Sequence, residues 1–312
     1  MALKIMKNKS LKLIIILVIC LFSLTSAVNA DGYKVIFNHI DGVGDDYGPG
    51  DYYYPQNHIF QNRGHLFDLN SLTIFEGEAN YKFRFSFSNL TDPWRAKFDF
   101  SLPLIELYLD TQSGGSSQLF NDGANISFKD DFYWDNFLKI SGFWVKLFNP
   151  NSRKETILNI NDLSLMVPSS NDNISVNRDG NFIFLEIPKA EINLAQNSKI
   201  IVLIGSFDPF GYDHFRSLSN SRSYWQIYSG NKSSNPQSTR VLDILVPGGE
   251  SQKQILKGEL PQLPYLKIDF EKAETEPTVV DYLMSINKIS IAILVLYMLL
   301  LIFVIFRFKY EK

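Results

Sequence analysis

The sequence predicts an all-β fold, an antiparallel β-sandwich, and three observations support that prediction. Several short segments alternate apolar and polar residues with a period of two and are rich in aromatic and β-branched side chains. Asn, Gly, Ser and Pro separate these segments. No long helical periodicity precedes the apolar stretch near the C-terminus, and strands joined by polar turns without intervening helices are typical of an antiparallel sandwich.

The segment at residues 81–88 gives the clearest strand signal. Its tyrosine and phenylalanines fall on one face, whereas Lys82, Arg84, Ser86 and Ser88 fall on the other, so one face is expected in a core and one in water. Further strands are predicted at residues 104–110, 143–148, 181–187 and 199–207. The last two are apolar enough to be central strands covered on both faces. Residues 131–140 are expected to form one short helix, because Trp134, Phe137 and Leu138 have helical spacing.

The N-terminus has the pattern of an export signal. Four lysines precede an apolar run at residues 13–22, and Val28, Asn29 and Ala30 form a small-residue cleavage pattern. The expected signal peptide is residues 1–30. Cys20 is not read as a lipidation site, because Ile19 stands where a small residue is needed.

A second apolar stretch, at residues 289–306, has about the length that crosses a bilayer and is flanked by basic residues. We expect a transmembrane helix at residues 288–308, a stalk at 271–287 and a cytoplasmic tail at 309–312, whose basic character follows the positive-inside rule. A buried core helix is the alternative for the apolar stretch. Residues 31–270 would then form one extracellular domain anchored in the cell membrane by a single span.

Composition limits the remaining possibilities. Cys20 is the only cysteine and would leave with the signal, so disulfides cannot stabilise the exported domain. A conventional core must do so instead, and the expected domain is rich in Phe and Tyr, of which the full chain has 25 and 15. A net charge of -3, without a basic block outside the two ends, argues against nucleic acid as a partner.

The segment at residues 41–55 concentrates acids, glycines and tyrosines in one loop. Asp41, Asp45, Asp46 and Asp51 lie among glycines that favour tight turns. Carboxylates this close repel one another unless a cation or backbone amides neutralise them, and calcium accepts many carboxylate and carbonyl oxygens. The loop therefore indicates a possible calcium site. The alternative is an Asp/Gly-rich surface turn without a ligand, since the spacing is not that of an EF-hand.

Several blocks of the chain, in order over residues 35–266, resemble the C-terminal module of bacterial glucodextranases, one of the DOMON-like and family 9 carbohydrate-binding sandwiches. The first block is GDDYGPGDYYYP at residues 44–55, followed by Phe60, Gly64 and FDL at 67–69. IELYLD at 105–110 is similar to the family's strand that ends in an aspartate. The other blocks are GSFDPFG at 205–211 with Phe215, Arg216 and Trp225, and VLDILVP at 241–247 with Ser251, Gln252, Ile255 and Leu256.

This resemblance implies a β-sandwich that binds polysaccharide or cell-envelope glycan without catalysis of its own. It also implies structural calcium, with Asp45, Asp46 and Asp51 as ligands by motif position. Asp68 is a further candidate ligand, because residues 67–69 enter a strand and its carboxylate can fold back toward the loop. A hydrogen bond at the strand entry is the alternative role for Asp68.

A glycan site needs exposed aromatic rings beside polar side chains. Tryptophan and tyrosine residues at several positions can supply them, and we select Trp94, Trp144, Tyr52 and Tyr54 as the candidate carbohydrate-binding residues. Trp144 is favoured because it shares a strand face with Lys146. A core position is the alternative for each of these rings.

No catalytic motif accompanies the loop. The sequence has no Gly-x-Ser-x-Gly, no His-Glu-x-x-His and no phosphate-binding glycine loop, and no acid pair is singled out as a hydrolase site would require. The expected function is non-enzymatic binding of α-glucan or envelope glycan at the cell surface, near glycoside hydrolases or sugar transporters. The alternatives are an envelope-anchoring protein that docks to a surface-layer or membrane partner and, more remotely, a hydrolase of unknown type.

Overall fold

The computed structural model describes residues 33–61, 64–120, 123–150, 173–211, 213–230 and 234–270. The expected signal peptide, stalk, transmembrane helix and cytoplasmic tail lie outside these residues. Within them, no helix combines the length and the apolar character needed to cross a bilayer.

Fifteen strands and one short helix make up the described part of the chain. In chain order they are β1 (Lys34–Ile40), β2 (Leu69–Glu76), β3 (Asn80–Phe87), β4 (Pro103–Asp110), β5 (Ser127–Phe128), β6 (Asn136–Ile140), β7 (Val145–Phe148), β8 (Ser175–Asp179), β9 (Phe182–Pro188), β10 (Lys199–Ser206), β11 (Leu218–Ser219), β12 (Ile227–Tyr228), β13 (Val241–Ile244), α1 (Gln252–Ile255), β14 (Gln262–Leu263) and β15 (Leu266–Lys267).

Two antiparallel sheets contain the longer strands. The first has the order β1-β2-β3-β9-β8, and the second has the order β13-β10-β4-β6-β7 with β15 pairing the end of β10. Two short parallel pairs, β11 with β12 and β14 with β5, lie outside these sheets. The fold is therefore all-β and sandwich-like, as the sequence predicts.

The main core lies between the two sheets. Phe83 and Phe85 of β3 and Leu72 and Ile74 of β2 are fully buried in one cluster with alternate residues of the second sheet. Those residues are Ile105, Leu107 and Leu109 of β4, Leu138 and Ile140 of β6, and Ile200, Val202 and Ile204 of β10. Burial of so many large apolar side chains explains how the domain is stabilised without disulfides.

A second core covers the other face of the second sheet. Tyr108, Phe137 and Leu203, which alternate with the inward residues, pack there against loop residues such as Trp134 and Phe215. Because this sheet is covered on both faces, its central strands β4 and β10 are apolar along almost their whole length. The loops that cover it also bring distant parts of the chain to one edge of the fold.

Five of the strand predictions are confirmed within one or two residues. Residues 81–88 correspond to β3, 104–110 to β4, 143–148 to β7, 181–187 to β9 and 199–207 to β10. β10 is a central strand covered on both faces, as expected. β9 also lies between two strands, but it is not covered on both faces as expected, because Phe182, Phe184 and Glu186 remain partly exposed on the outer face of the first sheet.

The predicted helix at residues 131–140 is wrong. Residues 136–140 form β6, which pairs with β4 on one side and β7 on the other. Phe137 points into the second core and Leu138 into the main core. Adjacent apolar residues are expected on a strand buried on both faces, and here they imitated the spacing of a helix.

Candidate functional site

The acidic loop packs against the edge strand β13 and forms a carboxylate cluster there. The amide of Gly48 donates to the carbonyl of Leu242 at 2.8 Å, which fixes the loop beside this strand. Three carboxylates meet at this edge, and one oxygen atom of each lies within 4.8 Å of the corresponding atoms of the other two. They belong to Asp45 in the loop, to Asp68 just before β2 and to Asp243 in β13. We call these three residues, together with Asp41, the acidic cluster.

Backbone amides orient the two innermost carboxylates of the acidic cluster. Asp243 accepts hydrogen bonds from the amides of Leu69 at 2.6 Å and Ile244 at 2.9 Å. Asp68 accepts one from the amide of Gly44 at 2.8 Å and another from the Ser88 hydroxyl. The bond to Gly44 ties the loop to the residue that precedes β2, so the strand-entry role considered for Asp68 and its place in the acidic cluster coexist.

The side chain of Gln252 holds the loop and β13 together. Its amide nitrogen donates to the carbonyl of Asp45 at 2.5 Å and of Leu242 at 3.2 Å, and its oxygen accepts from the amide of Ile244 at 2.8 Å. Gln252 begins α1 and is 3% exposed. These three bonds satisfy a buried amide side chain and fix the backbone on both sides of the acidic cluster.

The acidic cluster is electrostatically unfavourable without a cation. Burial raises the pKa of Asp41 to about 7, and burial also raises the pKa of Asp45 and, to well above its ordinary value, that of Asp243. Repulsion from neighbouring carboxylates adds to each increase. Among the described residues, no lysine or arginine forms an ion pair with any of the four.

Two oxygen atoms of the acidic cluster also lack a donor. Oδ2 of Asp41 and Oδ1 of Asp45 are buried and accept no hydrogen bond from the described residues. Buried polar atoms are normally satisfied, and a set of carboxylate and carbonyl oxygens is the donor set that hard cations prefer. The donor set therefore fits a hard cation such as calcium, which Asp45, Asp68 and Asp243 would hold with Asp41 beside them.

Two of the residues predicted as metal ligands lie elsewhere. Asp46 is fully buried and points away from the acidic cluster, where it accepts hydrogen bonds from the Tyr54 hydroxyl, from His65 Nδ1 at 3.1 Å and from the amide of Phe67 at 3.0 Å. Asp51 is exposed and lines a surface groove. Asp46 thus organises the loop internally, and Asp51 belongs to a different part of the surface.

The tyrosine run at residues 52–54 alternates between the interior and the surface. Tyr52 is 2% exposed and its hydroxyl donates to the carbonyl of Thr239 at 2.8 Å. Tyr54 stacks on Tyr47 with ring centres 5.6 Å apart. Tyr53 between them is 47% exposed. An extended backbone sends successive side chains to opposite sides, so Tyr53 is the most exposed of the three rings, the predicted Tyr52 lies in the core, and the predicted Tyr54 is partly buried and borders the surface groove beside Tyr53.

The two selected tryptophans also serve packing. Trp144 is 1% exposed and lies against His214, with ring centres 5.2 Å apart. Trp94 is partly buried between the two cores and contacts Trp225 at 5.8 Å and Phe207 at 6.3 Å. A buried indole cannot offer a ring face to a sugar, so Trp144 is assigned to the core.

A surface groove surrounds Tyr53. One lobe, of about 530 Å³, is lined by Asp51, Tyr53, Asn220, Ser221, Arg222, Tyr228, Ser229 and Gly230. A second lobe, of about 320 Å³, is lined by Tyr47, Tyr53, Tyr54, Phe60, Gln61, Gly64 and Arg222. Tyr53 and Arg222 line both lobes. We call the two lobes together the Tyr53 groove.

Backbone pairing holds the two sides of the Tyr53 groove together. Tyr53 and Tyr228 exchange two hydrogen bonds of 3.0 Å, and the amides of Gln56 and Asn57 donate to the carbonyls of Ser223 and Tyr224. The groove is thus built from the loop that carries the acidic cluster and from the segment between β11 and β12. Its shape depends on both.

A buried arginine fixes the second of these segments. Arg216 is 1% exposed and donates to Ser206 Oγ at 2.9 Å, to the carbonyl of Trp225 at 3.0 Å and to the carbonyl of Phe207. Its guanidinium also lies 4.1 Å from the centre of the Trp225 ring. Burial lowers the pKa of Arg216 to about 10, so it remains charged at neutral pH. Arg216 therefore anchors the segment next to Tyr224 and Tyr228.

Sequence reasoning missed Asp243 and Arg222. Asp243 lies about 200 residues beyond the acidic loop, but a carboxylate inside the apolar run at 241–246 was a signal that it is buried for a reason. Arg222 is flanked by serines and had no signal of its own.

These features define a class: an all-β domain with an ordered acidic loop and an open aromatic groove beside it. A family model described as the C-terminal binding-module, SLH-like, of glucodextranase matches residues 36–262, well over half of the 312-residue chain. The chain belongs to this family, which confirms the resemblance deduced from its motifs. A search of curated proteins found no match.

Proposed function

We propose that this protein is a non-catalytic glycan-binding module displayed on the outer surface of the cell. One observation supports the proposal most strongly. The match to a binding-module family spans residues 36–262, and these residues include nearly all of both sheets, the acidic cluster and the Tyr53 groove. The proposed display relies on the signal peptide and the single span expected from the sequence.

The proposed mechanism is retention of a polymer near the membrane. A weak site on a tether increases the local concentration of polysaccharide around enzymes or transporters of the same envelope. Several copies that bind one polymer would gain avidity without any new contact, because each later binding event is intramolecular. An open groove suits this role, since a polymer must enter without threading an end.

We further propose that calcium is a structural cofactor bound by the acidic cluster. The supporting observations are the three converging carboxylates, the absence of a countercharge on them within the described residues and the two buried oxygen atoms without donors. A bound cation would neutralise the repulsion that raises the pKa values of Asp41, Asp45 and Asp243. The loop that holds Tyr53 would be ordered as a consequence.

A second candidate function is docking to a surface layer or another envelope partner. The words "SLH-like" in the family description favour it. In that case the Tyr53 groove would contact a fixed polymer or protein of the envelope, and free polysaccharide would not bind.

Affinity electrophoresis separates the two candidates. The full-length chain, purified in mild detergent, is run in native gels with and without a soluble α-glucan. The glycan-binding proposal predicts slower migration in the glucan gel. Unchanged migration with every polysaccharide, together with co-purification of a surface-layer protein, would replace it by the docking function.

A further inference from the structure

We infer that the Tyr53 groove is the glycan-binding site and that it takes an internal stretch of a neutral polysaccharide across both lobes. The inference rests on the proposed function and assigns it to particular residues. It depends on four features of the groove: an exposed ring, unsatisfied polar groups, a shared wall between the lobes and a mixed charge.

The exposed ring is Tyr53, supported from one side by Tyr228. The two ring centres lie 5.7 Å apart at an angle of 39°, and the backbone pairing described above holds both in place. Sugar rings present apolar C–H faces that pack on aromatic side chains, and a preorganised ring loses little entropy on binding. Tyr53 therefore has the position and the rigidity of a sugar platform.

Four polar side chains that line the groove can hydrogen-bond to a ligand. The side chains of Asn220 and Arg222 and the hydroxyls of Tyr53 and Tyr228 form no hydrogen bond with the described residues. Two aromatic rings nevertheless hold the Arg222 guanidinium in place, since it lies 4.1 Å from the centre of the Tyr53 ring and 5.0 Å from that of the Tyr228 ring. The guanidinium thus brings N–H donors of fixed geometry to the lining of the groove.

The two lobes share one wall, formed by Tyr53 and Arg222, and this arrangement indicates an extended ligand. Tyr53 and Arg222 line both lobes, and each lobe has a volume within the range of small-molecule sites. A linear polymer can place successive sugar residues on either side of this wall. A site for a chain end would instead be closed at one side, and neither lobe is closed by the residues that line it.

The charges in the groove favour a neutral polymer. Arg222 offers donors, and Asp51 in the larger lobe offers a carboxylate. Sugar hydroxyls can accept hydrogen bonds from Arg222 without bringing a charge, whereas a carboxylate or sulfate on the ligand would be disfavoured beside the Asp51 carboxylate. The net charge of -3 on the whole chain disfavours an acidic polymer further.

The test compares groove variants of the full-length chain in native gels that contain dextran or soluble starch. We expect Tyr53→Ala and Arg222→Ala each to weaken retardation about fivefold to tenfold, the scale of one lost stacking or cation–π contact. Tyr53→Phe should retain most of the binding, because the ring remains. Tyr133→Ala is the matched control: Tyr133 is 45% exposed but lines neither lobe, so its loss should leave retardation unchanged.

The outcomes distinguish this inference from the proposed function. Wild-type retardation that Tyr53→Ala and Arg222→Ala leave intact would place the glycan site elsewhere while the proposed function stands. Retardation of the wild type only by an acidic polysaccharide would overturn the choice of ligand. Absence of retardation by any polysaccharide would overturn both. Melting curves of each variant check folding, and substitutions of such exposed side chains are expected to leave Tm nearly unchanged.

Discussion

At the scale of single residues, Asp243 is the member of the acidic cluster that lies inside an apolar strand. It is fully buried in an apolar strand, and only two backbone amides face its carboxylate. Such a residue destabilises the domain unless a cation binds beside it. Its presence is explained if calcium binding repays the cost of burying it.

Replacing Asp243 tests this explanation. Calcium in large excess over its Kd should raise the wild-type Tm by about 5–10 °C, since a ligand bound only to the folded state adds about 3 kcal/mol at a hundredfold excess. We expect Asp243→Asn to abolish most of this increase. Asp51→Asn is the control, because Asp51 lies in the groove and should leave the response to calcium intact.

Metal analysis of the purified chain completes that test. A wild-type Tm that neither calcium nor a chelator changes, in a preparation without bound metal, would remove calcium from the account. An equal response to calcium in Asp243→Asn would remove Asp243 from the site.

His214 predicts a pH dependence of stability. Its ring is 3% exposed, and burial together with the positive charges of Lys139 and Lys146 lowers its pKa to about 4, against smaller opposite effects of a hydrogen bond to the Asp208 carbonyl and of Asp213. The unfolded chain binds the proton near pH 6.5, so the contribution of the neutral ring is complete above that pH and is lost as the pH falls toward 4. The loss amounts to about 3 kcal/mol at most.

The measurement is Tm between pH 4 and pH 7 for the wild type and for His214→Asn. Asparagine suits the backbone of this position, whose φ is 64°. The variant should show a shallower decrease of Tm in acid than the wild type. Parallel curves for the two proteins would show that His214 does not titrate in this range.

At the scale of elements, the acidic loop depends on a glycine where it meets β13. Gly48 has a φ of +59°, and a Cβ there would lie 2.7 Å from the Tyr52 ring and 3.0 Å from the carbonyl oxygen of Val241. A side chain must therefore push the loop away from the strand. Both the acidic cluster and the Tyr53 groove would change shape as a result.

Gly48→Ala and Gly180→Ala form a matched pair. Gly180 has nearly the same φ, +58°, but no atom lies within 4 Å of the position of its Cβ. Gly180→Ala should cost only the left-handed backbone penalty of about 1–2 kcal/mol. Gly48→Ala should lower the free energy of unfolding, measured in urea, clearly more than Gly180→Ala does. Equal decreases in the two variants would show that the loop packs less tightly against β13 than described.

The same scale shows what the sequence could predict. Alternation located β3, β4, β9 and β10, because one or both faces of these strands are buried in a regular pattern. It failed for residues 131–140, where two adjacent apolar residues serve two different cores. The sequence could not predict which of residues 52–54 point outward, because three consecutive tyrosines include no polar residue that marks the outer face.

At the scale of the whole molecule, the candidate sites are nonlocal. The acidic loop was visible as a dense local motif, and Asp45 and Asp68 of that prediction do lie in the acidic cluster. Asp243 and Arg222 join these sites only through the fold, which brings residues 218–230 and 241–246 beside residues 41–57. Spacing along the chain contains no information on such contacts.

The central claim is that the protein holds a glycan without cleaving it. Size-exclusion chromatography with light scattering, applied to the full-length chain after long incubation with a soluble α-glucan, measures bound protein and polymer mass together. The account predicts protein that co-elutes with a polymer of unchanged mass. A polymer that becomes shorter, or protein that always elutes apart from every neutral polymer tested, would contradict it.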